Sequence, residues 1–273
     1  MERGTCKLCN KEKDLLDSHF VGKAVYRRLG EPSLVNPHPI VVGKDGAKQS
    51  SQQVRDYVFC YDCEQIFNLK GESWVHGQIA TMAGFPLLEP LKKHRPMFLE
   101  SDMALFNVSA VSEWNCEALL HYGAGVFFKA GVHDWPAEGG ETKIELGPYL
   151  EPLRQFVLGE KDFPTGSMAL ALSIAGNMRP FLGYVPPVRV KDSGTHKYQY
   201  YVSGLMYTLF AGKTIPREME KISLAWTTPS VVFVRDVSSQ AIGMMKAMSP
   251  DPDGLLRALK AIDISLKKKP DLP

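Results

Sequence analysis

The sequence is short of the features that announce a protein class at sight. No stretch of about 18 consecutive apolar residues occurs in its 273 residues, so a membrane-spanning helix is not expected. The opening residues, Met1-Glu2-Arg3-Gly4-Thr5-Cys6, carry no apolar core of the kind a secretion signal needs. Charge of one sign is missing too: 32 Lys and Arg stand against 30 Asp and Glu, which leaves +2. No overall field then draws in a polyanion, and any nucleic-acid contact has to come from a local patch. Only five cysteines occur, and their pairing suits a metal in a reducing compartment better than a secreted disulfide framework. Phosphate loops are absent as well, since Gly123-Ala124-Gly125 and Gly139-Gly140 are too short and lack a strand-turn-helix setting. There is no internal repeat or low-complexity tract. What is present is 44% hydrophobic residues on a chain long enough for one large domain or two small ones. The expectation is a soluble, cytoplasmic protein.

Four of the five cysteines form two pairs, Cys6-Lys7-Leu8-Cys9 and Cys60-Tyr61-Asp62-Cys63. A CxxC turn aims two thiolates at one point, and two such turns complete a closed tetrahedral site for structural Zn²⁺. Redox pairs are the competing reading, but these usually come singly in a βαβ setting that is not evident here. Four unrelated buried thiols are the plainest alternative. Cys116, in an apolar stretch, reads as a small core residue.

Along the chain, the first knuckle leads into Leu15-Leu16-Asp17-Ser18-His19-Phe20-Val21 and a short helical run, Ala24 to Leu29. Residues 30–53, rich in Pro, Gly, Ser and Lys around Ile40-Val41-Val42, read as an inserted loop or hairpin. Tyr57-Val58-Phe59 then enters the second CxxC as a strand, and residues 64–82 repeat apolar side chains at helical intervals, weakened at Gly71. Beyond Pro86 the pattern predicts a helix within 103–133, another over 148–158, strands at 168–174, 181–185, 198–210 and 231–234, and a last helix over 255–266. The predicted class is α+β: a zinc-stapled module over 1–84, with residues 30–53 inserted, followed by a larger mixed domain over 85–273.

The helix after Cys63 carries Glu64, Asn68, Glu72 and His76 at i, i+4, i+8 and i+12, which puts all four on one face. Glu64, Glu72 and His76 are able to bind a divalent ion, and Asn68 is able to orient a neighbour. A solvated helix face accounts for the same stripe without any chemistry. Arg27-Arg28, Lys92-Lys93-His94-Arg95 and Lys267-Lys268-Lys269 are either phosphate contacts or ordinary surface. Arg27 and Arg28 rank first because they lie close to His19.

The order of these parts, CxxC, a strand-borne His, a loop, CxxC and a helix opening with a metal-competent side chain, resembles the zinc-ribbon HNH (ββα-metal) endonucleases. The wording around Ser18-His19-Phe20 and Cys63-Glu64 is similar to an uncharacterised bacterial branch. The resemblance covers about residues 1–80. It implies structural zinc at Cys6, Cys9, Cys60 and Cys63, His19 as general base, and a catalytic Mg²⁺ or Mn²⁺ on Glu64 and Glu72; the helix stripe adds Asn68 as a catalytic candidate that orients a neighbour. The resemblance also implies DNA as substrate, for which Arg27 and Arg28 are the nearest basic candidates, and a place in bacterial defence, with which the family is often associated. The chain departs from the family in two places. Ser18 stands where an Asp usually precedes the catalytic His, and Glu64 stands for Asn or His. Asp17 replaces the missing carboxylate only if the strand bulges.

Three readings follow. One is a metal-dependent DNA endonuclease whose C-terminal domain selects substrate, dimerises or holds a partner protein. The second is a non-catalytic zinc module that recognises nucleic acid or a protein, and the third a structural zinc protein whose distinctive feature lies wholly in the C-terminal domain.

Overall fold

A computed structural model describes residues 2–29, 40–43, 46–50, 52–137, 142–177, 180–191, 194–225, 230–249, 251, 253 and 255. Gly139-Gly140, Lys267-Lys268-Lys269 and nearly all of the helix expected over 255–266 lie outside these residues.

The N-terminal region is built on three antiparallel strands. β1 (Glu2–Thr5) pairs with β2 (Glu12–His19), and β2 pairs in turn with β5 (Arg55–Cys60). Between β2 and β5 come α1 (Lys23–Leu29) and a separate hairpin of β3 (Ile40–Gly43) and β4 (Gly46–Gln49), where the sequence led us to expect an insertion. Along β2, Leu15 and Ser18 turn inward while Asp14 and Asp17 face out, a spacing of three that departs from strict alternation where the β2–β5 register shifts.

The helix expected over 64–82 begins earlier and is not continuous. It consists of α2 (Tyr61–Phe67), a π turn at Asn68–Glu72, and α3 (Ser73–Gln78), and it ends where Ile79 turns extended. The π turn takes in one residue more than an α turn, so side chains after it are rotated relative to the ideal stripe. Gly71 lies inside it for a steric reason: a Cβ there would meet the backbone nitrogen of Tyr122 at 2.9 Å.

The second region is organised by a seven-stranded sheet of order β6-β7-β12-β8-β11-β10-β9. Its strands are β6 (Phe98–Leu99), β7 (Met103–Asn107), β8 (Met168–Ala175), β9 (Tyr184–Val190), β10 (His196–Val202), β11 (Leu205–Ala211) and β12 (Val231–Arg235). Only the β12–β8 pair is parallel. Part of the helix expected over 103–133 is therefore a strand. Met103–Asn107 pairs on both sides, and the helix, α4 (Cys116–Val132), starts only where the Asn115 side chain accepts a 2.9 Å bond from the Ala118 amide. Three helices complete the described chain: α5 (Leu150–Leu158), α6 (Arg217–Lys221) and α7 (Val237–Met248).

α4 is apolar on nearly every side, the signature of a helix enclosed by the fold. It lies between the sheet and the N-terminal module. Gly123 admits the Tyr207 ring, which a Cβ would meet at 2.6 Å, and Phe128 stacks on Phe67 at 6.5 Å between centroids. The two sheets are separate, but one contiguous core takes in Phe20, Phe59 and Phe67 together with Phe127, Leu172 and Tyr200. No helix among the described residues is long and apolar enough to cross a membrane.

Candidate metal centre and the polar cluster beside it

The first knuckle closes on itself: the Cys6 amide donates to the Lys11 carbonyl at 3.0 Å and the Asn10 amide to the Cys6 carbonyl at 2.8 Å. Asn10 takes a φ of 56°, a left-handed conformation that Asn tolerates better than most side chains. The second pair sits where β5 becomes α2, so Cys60 ends the strand and Cys63 lies in the first helical turn. The Lys7 amide donates to the Val58 carbonyl at 3.2 Å, which holds the knuckle against β5. From the C-terminal region, Arg154 on α5 donates to the Leu8 carbonyl at 2.7 Å.

These contacts bring the Sγ atoms of Cys6, Cys9, Cys60 and Cys63 all within 4.8 Å of one another, with Cys9 and Cys60 at 4.0 Å. Sulfurs about 2.3 Å from one tetrahedral zinc stand about 3.8 Å apart, so the cluster fits that ion. The Cys60 amide donates to the Cys6 sulfur at 3.3 Å, which favours a thiolate there. The hydrogen bond from Cys63 pulls the Cys6 thiol down to about 4 despite its burial, whereas that same contact and burial push the Cys63 thiol up. Burial also raises Cys60. Apart from Cys9, which is half-buried, the thiols are enclosed, as a closed structural site requires.

At the other end of β2 a second polar cluster collects Ser18, His19, Glu64, Glu72, His76 and Lys129. His19 is half-buried at the strand end, its Nε2 2.7 Å from the Gln53 amide oxygen. Ser18, buried, donates to the Leu16 carbonyl at 3.3 Å and accepts from the Phe59 amide at 3.2 Å. Burial pushes the Glu64 carboxyl up, against the pull of Lys129, Ser18 and His19, and its Oε1 is enclosed without a hydrogen-bond partner. Burial acts on Glu72 in the same direction, but Lys129 and then His76 outweigh it and hold that carboxyl below its usual range. His76 is buried with Nε2 unpartnered, and burial pushes its imidazole down. Gly22 makes the close approach feasible: a Cβ there would stand 2.2 Å from His76 Cε1 and 2.9 Å from Glu72 Oε2.

The structure thus gathers His19, Glu64, Glu72 and His76 but not Asn68, which is exposed at the start of the π turn. The stripe expected from i+4 spacing is corrected at that residue, whose side chain lies in solvent. The β2–β5 ladder slips by one residue, but the unpaired residue is Val58 of β5 and not one of β2, where the Asp17 alternative needed the bulge. Asp17 nevertheless faces solvent and pairs with Arg55 at 2.7 Å. Among the described residues, the four cysteines are the one group of three or more His, Cys, Asp or Glu donors close enough to share an ion. Glu64 and Glu72 with the two histidines do not converge in that way, so the catalytic Mg²⁺ or Mn²⁺ site does not fit the residues as they stand.

The cation in this cluster is one the sequence reading missed. Lys129 of α4 is buried, and its ammonium donates to Glu72 Oε1 at 2.8 Å and to the His19 carbonyl at 3.3 Å. The signal was available: Lys129 is the single charged side chain between Leu119 and Val132. A charge in so apolar a helix needs a buried partner. His121 and His133, within and at the end of this helix, bond the Val157 carbonyl at 3.0 Å and Asp56 at 2.9 Å. Arg27 is exposed and Arg28 half-exposed on α1, while Lys92, Lys93, His94 and Arg95 are exposed in the second region. Compared with known protein families, with curated proteins and with solved structures, the chain matches none.

Proposed function

We propose that the N-terminal region is a zinc-stapled module that binds the nucleic-acid backbone, DNA foremost, without cutting it. The observation that supports this most is α1, which follows the His19 strand end. Its seven residues include Lys23, Arg27 and Arg28 and no acidic side chain, and none of the three makes an ion pair among the described residues. Unpaired cations on one short helix contact phosphates without reading sequence, and each neutralised phosphate releases counterions. The zinc centre holds the sheet from which α1 emerges.

A second reading, DNA hydrolysis of the HNH type, draws on the enclosed and unpartnered Glu64 oxygen in the cluster that also holds His19. His19 would serve there as the base that takes a proton from water. A divalent ion supplies Lewis acidity in such reactions. It ranks second because Glu72 is already committed to Lys129 and the donors do not converge.

One experiment separates the two. Zinc-loaded protein is titrated against labelled duplex DNA at several salt concentrations, first without divalent ions and then with Mg²⁺ or Mn²⁺, while strand integrity is followed. Salt-dependent binding of intact DNA, weakened in Arg27→Ala/Arg28→Ala with the slope reduced by about 0.9 per lost contact, is the expected result. Cleavage abolished in His19→Ala would put the second reading first, and absence of any binding would sink both.

A further inference from the structure

A lysine is almost never fully buried unless it is paired, and Lys129 keeps 1% of its side-chain surface. Its ammonium has three protons to place. One goes to Glu72 Oε1 at 2.8 Å and one toward the His19 carbonyl at 3.3 Å, while the Phe67 ring lies 4.4 Å away under the charge. The backbone at this residue is held as well, because the Trp135 indole donates to the Lys129 carbonyl at 2.8 Å. The ammonium therefore joins the end of β2, the π turn and α2, and it does so from α4.

An ion shared between that strand end and that helix would have to bridge the same two places. The strand has no carboxylate to offer: Ser18 is a hydroxyl, and Asp17 is turned outward onto Arg55. Glu72 is the one cluster carboxylate with an ion-pair partner among the described residues, and that partner is Lys129. We infer that Lys129 is the resident cation of this cluster, a positioning residue that clamps the β2 end and Glu72 together from α4 and so replaces a divalent ion there. The inference rests on the reading of the module as non-cutting only for its choice of site. DNA binding by α1 is a separate property that its test does not touch.

The test uses the full-length, zinc-loaded protein. Mn²⁺ is titrated in and the free ion followed by electron paramagnetic resonance, with Glu72→Gln as the control. The wild type should take up no Mn²⁺ that depends on Glu72, and one equivalent lost in Glu72→Gln would overturn the proposal. Thermal unfolding supplies the second arm. Lys129→Met leaves Glu72 enclosed and unpaired, and should lower Tm by on the order of 10 °C. Lys129→Met/Glu72→Gln removes both charges and should regain at least half of that loss. A double variant no more stable than the single one means that Lys129 is only packing and sinks the idea, as does a single variant as stable as the wild type. If Lys129→Met does not fold at all, the double variant decides alone: folding supports the clamp, and failure to fold rejects it.

Discussion

The two ends of β2 carry two polar clusters made in different ways. At one end, four identical donors from two turns stand within 4.8 Å of one another. At the other, unlike groups from β2, the α2–α3 helix and α4 surround an ammonium that belongs to the chain itself. The first cluster is local in origin, since each CxxC positions its pair within a single turn. Its like donors repel unless something positive sits among them, and a metal ion answers that need. The second is assembled from residues as far apart as His19 and Lys129, and its positive charge is already installed. Convergent like ligands therefore call for an ion, whereas Glu72 already has its cation in Lys129.

Removing the ion from the first cluster should produce the largest effect. Zinc-site binding free energies of about 10–16 kcal/mol exceed the stability of most domains, so chelation or Cys63→Ser should unfold the N-terminal sheet. Far-ultraviolet circular dichroism with metal analysis reads this out. Protein purified without chelator that holds less than about half an equivalent of zinc would break the comparison at its first term.

The loss expected for Lys129→Met, about 3–5 kcal/mol for an unpaired buried charge, comes next. Gly22→Ala should be milder. The new methyl is aimed at the His76 ring and the Glu72 carboxylate, and such overpacking costs about 1–3 kcal/mol. Urea denaturation would measure it, and a neutral result would mean that the second cluster is looser than its geometry indicates.

Asp17→Asn should change least, within about 0.5 kcal/mol, because the Asp17–Arg55 pair is exposed on both sides. It should also leave zinc content and DNA binding as they are. A marked loss of either property would return Asp17 to the site from which the structure turns it away.

Much of the module was legible in the chain. The CxxC spacing located the thiol cluster, and the composition of residues 30–53 marked the insertion that carries the β3–β4 hairpin. Less legible were features decided by neighbours. Met103–Asn107 reads as part of a helical stretch, yet it pairs as β7 because β6 and β12 offer it hydrogen bonds on both edges. The uniform i+4 stripe from Glu64 to His76 hid a π turn at Asn68–Glu72 and gave no sign that Asn68 faces water.

By itself the sequence determined what depends on short separations: the four thiols in two turns, the strands and helices that carry them, and a His placed at a strand end. These follow from backbone geometry over a few residues, which residue type and spacing specify. Only the tertiary structure decided which charge would meet Glu72, which way Asp17 would face, and that one core would run through both regions. The direction of Asp17 follows from the β2–β5 register, and the other two outcomes depend on α4 packing over the module from more than fifty residues away, where burial forces a charge to find a partner and spacing along the chain carries no information about which partner it finds.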